Sequence, residues 1–314
     1  LANKVATREA YGKALQILGA ENPNVVVLDA DLSKSTKTAD FAKKYPERFF
    51  NMGIAEANLL GTAAGLAAAG KIPFASTFAI FAVGRAFEQI RNSIAYPKLN
   101  VKIAATHSGI TVGEDGGSHQ AIEDVAIMRA VPNMVVLVPA DGEETRQVVL
   151  AAAQYNGPVY IRMGRLDVPL LFDAEYQFEI GKANVLKEGT DVAIMANGVL
   201  VSMALEAASE LADKGISVSV VNVASVKPLD EETIVQIAKT TGAVVTAEEH
   251  NIIGGLGSAI AEVLGEKQPT PMVRVGLKDT FGESGRPQEL LEKYGLTKQE
   301  LVKAVHEVLA KKQI

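Results

Sequence analysis

No cysteine occurs in the 314 residues. Disulfides and thiolate metal sites are therefore excluded, and a reducing compartment, the cytoplasm, is expected. No block of lysine and arginine appears, and the formal net charge is −6. A nucleic-acid backbone needs a basic face, so such a partner is not expected. Long apolar runs are also missing. The longest uncharged runs, such as 57–70, are rich in Ala and Gly and too short or too polar to span a membrane. No secretory signal opens the chain, and a trimmed start would explain Leu1 in place of methionine. What remains is an ordinary globular composition, 48% hydrophobic and 22% charged. The length exceeds that of the usual single core, so about two domains are expected.

Short β-branched runs alternate with helical stretches. Strands are predicted at 25–28, 72–75, 101–105, 135–138 and 158–162, with helices at 7–19, 54–69 and 79–96. Asp141 and Glu144 form a D-x-x-E capping box that starts a helix running to Tyr155. The segment 166–189 carries Pro169, several charges and no period, and reads as a connection with one hairpin. Beyond it, strands at 192–196, 217–223, 243–247 and 272–275 and a final helix at 298–312 give a second, smaller unit. Strands spaced by helices indicate βαβ units, so the fold class is α/β with two open, mostly parallel sheets. The expected domains are 1–165 and 190–314, joined by 166–189.

Three stretches carry chemistry. The first, Thr106 to Gln120, reads T-H-S-G-I-T-V-G-E-D-G-G-S-H-Q. It follows a buried strand, and in a parallel sheet the ligand site lies beyond the strand's carboxyl end. Its glycines let the backbone approach a ligand, and His107, His119, Glu114 and Asp115 are potential proton carriers. The plainer alternative is a polar surface loop whose Ser118 starts the next helix. In the second stretch, Glu56 is the only charged residue between Arg48 and Lys71. A lone carboxyl among Ala, Gly and Leu is expected to be buried or at an interface, where burial suits proton exchange with a ring nitrogen. A first-turn acid stabilised by the helix dipole explains it equally well. The small residues here also suit a subunit contact. In the third stretch, S-T-F-A-I-F, the rings of Phe78 and Phe81 fall on one side, to stack on a flat heterocycle or to fill a core.

In this order the three stretches resemble the pyrimidine-binding domain of thiamine-diphosphate enzymes, and most closely transketolase. G-I-A-E at 53–56 is similar to the motif of the family's glutamate. S-T-F-x-x-F is similar to its aromatic pocket, and the long loop to T-H-D-S-I-x-x-G-E-D-G-P-T-H-Q. The resemblance covers the whole chain and implies a pyrimidine-binding domain followed by a transketolase C-terminal domain. It also implies ketol transfer between sugar phosphates. On these matches Glu56 would hold the aminopyrimidine, with Phe78 and Phe81 around it and Asp31 near the thiazolium. Asp115 would bind the hydroxyl beside the reacting carbonyl, while His107 and His119 would bind the sugar and move protons. Arg8, Ser35, His107 and Arg162 match positions that hold the substrate phosphate. Taken without the resemblance, the arginines and the serine read as surface and turn residues.

Departures from the family pattern bear on specificity. Gly84 stands where an aromatic is usual, leaving Phe87 or a partner residue to complete the pocket. Ser108 and Gly117-Ser118 replace Asp and Pro-Thr. The family's G-D-G motif for Mg²⁺ and the diphosphate is absent. No metal ligands are therefore assigned to this chain, and the Gly254-Gly255-Leu256-Gly257 loop reads as a helix start. His250, in E-E-H-N, reads as a turn residue without chemistry. The resemblance thus implies the C-terminal part of a split transketolase, or an excised fragment of a whole one, that needs an N-terminal subunit, in an α2β2 assembly with a contact between copies of this chain. Other readings are 1-deoxy-xylulose-5-phosphate synthase, a 2-oxo-acid dehydrogenase β subunit, or a non-catalytic module that keeps the fold.

Overall fold

The computed structural model describes residues 4–312. The first half supplies β1 (Lys4–Ala6), β2 (Val25–Asp29), β3 (Phe49–Asn51), β4 (Ile72–Phe78), β5 (Lys102–Thr106), β6 (Val135–Leu137) and β7 (Val159–Arg162). The second half supplies β8 (Asp167–Pro169), β9 (Asn184–Lys187), β10 (Val192–Ala196), β11 (Val218–Asn222), β12 (Ser225–Lys227), β13 (Val244–Asn251) and β14 (Met272–Leu277). The larger sheet has the order β12-β6-β7-β5-β4-β2-β3, and the smaller has β14-β13-β10-β11-β9. Within these two sheets all pairs are parallel except β12 with β6 and β9 with β11, and β1 pairs antiparallel with β8 apart from them. Every residue of β2, β5, β7, β10 and β11 is buried, as helices on both faces of a parallel sheet require.

One apolar cluster joins residues of both sheets, among them Leu28, Ile103, Met195 and Val221. The far face of the larger sheet packs Tyr11, Leu15, Phe74 and Val148. The far face of the smaller one packs Leu200, Val245, Leu301 and Val305. β12 comes from the second half yet forms the edge of the first sheet, so the halves share backbone hydrogen bonds as well as apolar surface.

Several expectations change. The segment 166–189 holds no hairpin: β8 pairs with β1 and β9 with β11. The helix expected over 79–96 is broken into Ala79–Arg85 and a π-helical stretch Gln89–Ala95, with Ala86 at φ −123°, ψ 20° between them. Periodicity misses the break because Ala82, Ala86, Ile90 and Ile94 are all buried at a spacing of four. Ser118 starts no helix, since the next one is Asp124–Ala130. The capping box is half formed. Asp141 Oδ1 accepts from Glu144 N, while Glu144 Oε2 accepts from Ala140 N instead of the cap's own amide. His250 lies buried at the end of β13, with Nδ1 2.6 Å from Asn251 O; it is not an exposed turn residue.

Candidate active site at the carboxyl edge of the larger sheet

β3, β2, β4 and β5 lie side by side, and the carboxyl ends of β3, β4 and β5 deliver the three stretches to one place, with Asp31 beyond β2. Asp31 lies two residues past β2, Phe78 ends β4, and His107 follows β5. Asp31 (φ 65°) and His107 (φ 54°) adopt the left-handed conformation, which costs about 1–2 kcal/mol for a residue with a side chain. Such strain persists where the surroundings over-determine it, and it clusters at functional sites. Asp31 is held by a reciprocal pair with Asn51: its amide donates to Asn51 Oδ1 at 3.1 Å, and Asn51 Nδ2 donates to its carboxylate at 3.0 Å.

The rings form a continuous platform. His107 stacks on Phe78 with centroids 3.8 Å apart, and Phe78 stacks on Phe81 at 5.5 Å. His119 meets Phe81 edge-on at 5.2 Å. Arg85 lies over the other ring end, 3.9 Å from the Phe81 centroid, and donates to Glu56 Oε1 at 2.7 Å. Glu56 opens the helix Glu56–Ala68 and is buried, whereas Arg85 is half exposed. Solvent thus screens the pair on one side only. Gly84 faces open space, and among the described residues no ring contact joins Phe87 to this platform.

The protonation of His107 follows from its partners. Arg8 Nη1 lies 3.1 Å from His107 Nε2, and a guanidinium can only donate. Nε2 therefore accepts, and the ring proton sits on Nδ1, 2.9 Å from Thr106 Oγ1. Burial, reinforced by Arg8, Arg165 and His119, pulls the imidazole down to about 3, so the ring is neutral near pH 7. Arg8 Nη1 also donates to Ser35 O at 3.0 Å, and its Nε is buried with no partner among the described residues. Ser35 thus joins the cluster through its carbonyl. Arg165 completes this cationic corner: it donates to Val112 O at 2.7 Å and lies 3.8 Å from Asp115 and 3.7 Å from Glu114.

Arg162 is not brought to this corner. Its Nε donates to Asp124 at 2.9 and 3.1 Å, and its Nη2 to Ala121 O and Glu249 O. It is buried in an ion pair behind the loop, consistent with its position inside β7. Arg165, which the sequence reading passed over, lies beyond the strand end on the ligand side. The signal was its place after the last strand residue, where a parallel sheet puts its site. Arg85 and Glu249 were also passed over, for want of any local motif.

A pyrimidine ring fits this edge. A buried carboxyl, an aromatic platform and the orphaned Arg8 Nε are all in place. The diphosphate half of such a cofactor does not fit the glycine loop at 254–257, because the amides of Leu256 and Gly257 donate to Glu248 at 2.7 and 2.8 Å. Among the described residues no group of three or more acidic or His side chains could hold a metal, and no helix is long and apolar enough to cross a membrane.

Residues 3–169 match the transketolase pyrimidine binding domain and 181–301 the transketolase C-terminal domain. A putative transketolase C-terminal section of Methanocaldococcus jannaschii is 53% identical over 97% of this chain and 96% of its own. The 6-deoxy-6-sulfo-D-fructose transketolase subunit SqwH of Clostridium sp. is 46% identical over 97% of this chain and 95% of its own. Among solved structures, a split gene transketolase in an inactive beta4 tetramer superposes with a TM-score of 0.92 at 64% identity, covering 98% of this chain and 99% of that one. With both domain models matched in order and relatives of this identity spanning nearly their full length, the chain belongs to the transketolase family, as a C-terminal section of the split kind.

Proposed function

We propose that this chain is the pyrimidine-binding subunit of a thiamine-diphosphate-dependent transketolase and transfers a two-carbon ketol unit between sugar phosphates. The observation that carries this reading is the single surface on which Glu56, Phe78, Phe81, His107 and His119 meet. Bound there, the cofactor supplies a nucleophilic carbon and an electron sink. Phe78 and Phe81 would flank the pyrimidine. Glu56 would hold its ring nitrogen and exchange a proton there once Arg85 lets go. Asp31 would face the cofactor's other ring. Neutral His107 frees Nε2 for a substrate hydroxyl when Arg8, its present donor, turns to the substrate's anion, and His119 moves a proton across the same face. Asp115 binds the hydroxyl beside the carbonyl, and Arg8 and Arg165 grip the substrate's terminal anion, since guanidinium forks suit tetrahedral oxyanions.

Mg²⁺ and the diphosphate fall to an N-terminal partner subunit in an α2β2 assembly. The glycine loop that could have cradled a diphosphate is already filled by Glu248, which supports that division. Contact between copies of this chain runs along the helix Glu56–Ala68, uncharged after Glu56, where Ala57, Gly61 and Gly65 are exposed. The cytoplasm is the expected compartment. A second sugar class has support in the relative named for 6-deoxy-6-sulfo-D-fructose, because a sulfonate would meet the same two arginines. Assaying phosphorylated and sulfonated ketose donors with the assembled enzyme decides between them. A Glu56→Ala variant with unchanged turnover would overturn the catalytic reading in favour of a non-catalytic module.

A further inference from the structure

The loop 106–120 carries Asp115 and His119, yet much of what holds it comes from the other half of the chain. Its own half holds its beginning: Ser108 donates to Met163 O through N and Oγ, and Gly109 N donates to Ala121 O at 2.8 Å. Beyond that point the second half adds anchors of its own to the one that Arg165 makes at Val112 O. Thr111 N donates to Glu249 Oε1 at 2.7 Å, and Gln120 Nε2 donates to Glu283 O at 2.9 Å as well as to Ile110 O. Between these two anchors the loop lies against 282–284, where a Cβ on Gly116 would meet Ser284 Oγ at 2.6 Å and one on Gly117 would meet Gly282 O at 2.7 Å. Gly109 (φ 75°) lies so close to the Glu249 carboxylate that any side chain there would collide with it. The residues 112–119 are thus bracketed by two contacts that the first half cannot make for itself.

We propose that Glu249 is a positioning residue: its buried carboxylate, aided by the 282–284 segment, fixes the loop so that Asp115 and His119 face the substrate. The second domain is then part of the site's machinery, beyond any role in assembly. The inference rests on the proposed transketolase reading only for its effect on turnover, because the clamp itself is a property of the chain.

Glu249 is buried and its partner amide is buried with it. Deleting the carboxylate leaves Thr111 N unpaired, and an unpaired buried donor is costly enough for the loop to leave its position. Glu249→Gln keeps an oxygen for Thr111 and is the conservative control.

The test combines two readouts on Glu249→Ala and Glu249→Gln. Hydrogen exchange on the full chain reads the amides of 110–120, and steady-state ketol transfer with the N-terminal partner reads kcat and KM separately. We expect Glu249→Ala to raise exchange in 110–120 at least tenfold while the strands stay protected. Turnover should fall tenfold or more at a nearly constant KM for cofactor, with Glu249→Gln recovering most of both. Unchanged loop exchange in Glu249→Ala would overturn the clamp, and faster exchange with unchanged kcat and KM would overturn its positioning role. Should Glu249→Ala unfold, Glu249→Gln decides alone: wild-type exchange with wild-type turnover supports the clamp, and global loss in both overturns a local role. A wild-type pair that never transfers a ketol unit refutes the transketolase reading, while loop exchange still decides the clamp.

Discussion

The carboxyl edges of the two sheets make an instructive contrast. Both lie at the position where parallel α/β sheets usually bind ligands, yet among the described residues the larger leaves a charged donor, Arg8 Nε, unpartnered beside a platform of rings. There the chain leaves β2 and β5 through left-handed residues, and His107 and His119 line that platform. At the smaller sheet the charged groups are occupied from within, and Asn222 Oδ1, left without a partner among the described residues, is an acceptor. Glu248 fills the amino end of the helix Leu256–Lys267, Glu249 reaches Thr111, and Asn222 Nδ2 donates to Glu144 at 2.7 Å. A sheet edge becomes a site where its donors stay open. Where neighbours take up the donors, the same edge becomes a joint.

Substitutions at the two edges should therefore differ in kind. The largest effect belongs to Glu56→Gln, which should cut turnover by about 10²- to 10⁴-fold, the range for losing a general acid–base group. The melting temperature should stay near that of the wild type, so kinetics and calorimetry together check it. At the joint, Arg162→Met should act in the opposite manner. It leaves Asp124 buried without its partner, costing about 3–5 kcal/mol of stability, read by chemical denaturation. Arg165→Ala comes next. It should raise KM for sugars bearing a terminal anion roughly ten- to a hundredfold, the loss of about 1.5–3 kcal/mol from one charged hydrogen bond, and leave KM for uncharged sugars alone. Glu248→Ala should lower stability by about 1 kcal/mol, the usual value of a helix cap, without altering kcat.

A further effect is a pH slope. His107 has its folded pKa pulled from 6.5 to about 3 by burial and neighbouring cations. Between those values the unfolded chain binds the proton and the folded one does not, so stability falls as pH drops from 6.5 toward 3. His107→Asn should flatten that slope in denaturation curves measured across pH 4 to 7.

Much of this contrast could be read from the sequence. Strand and helix periodicity gave both sheets, and the T-H-S-G-I-T-V-G-E-D-G-G-S-H-Q stretch, with Glu56 and the Phe78–Phe81 pair, located the open edge. The residues that escaped notice act over long separations. Arg85 meets Glu56 across 29 positions and Glu249 meets Thr111 across 138, and no local spacing encodes either. Arg162 was assigned to the phosphate because it matches a position of the family pattern that holds it. It lies within the strand, where only a buried acid could accompany it, whereas Arg165, three residues on, has turned past the edge. The break at Ala86 escaped because the buried spacing of four runs through it unchanged.

The most direct test of the account is ketol transfer from xylulose 5-phosphate to ribose 5-phosphate, with thiamine diphosphate and Mg²⁺ present. It should be measured for this chain alone, for a candidate N-terminal subunit alone, and for the two mixed. The account predicts turnover in the mixture and none in either subunit alone. Full activity from this chain alone would contradict the assignment of the diphosphate and metal to a partner. A stable complex without turnover on any phosphorylated or sulfonated ketose would contradict the transketolase reading of the open edge.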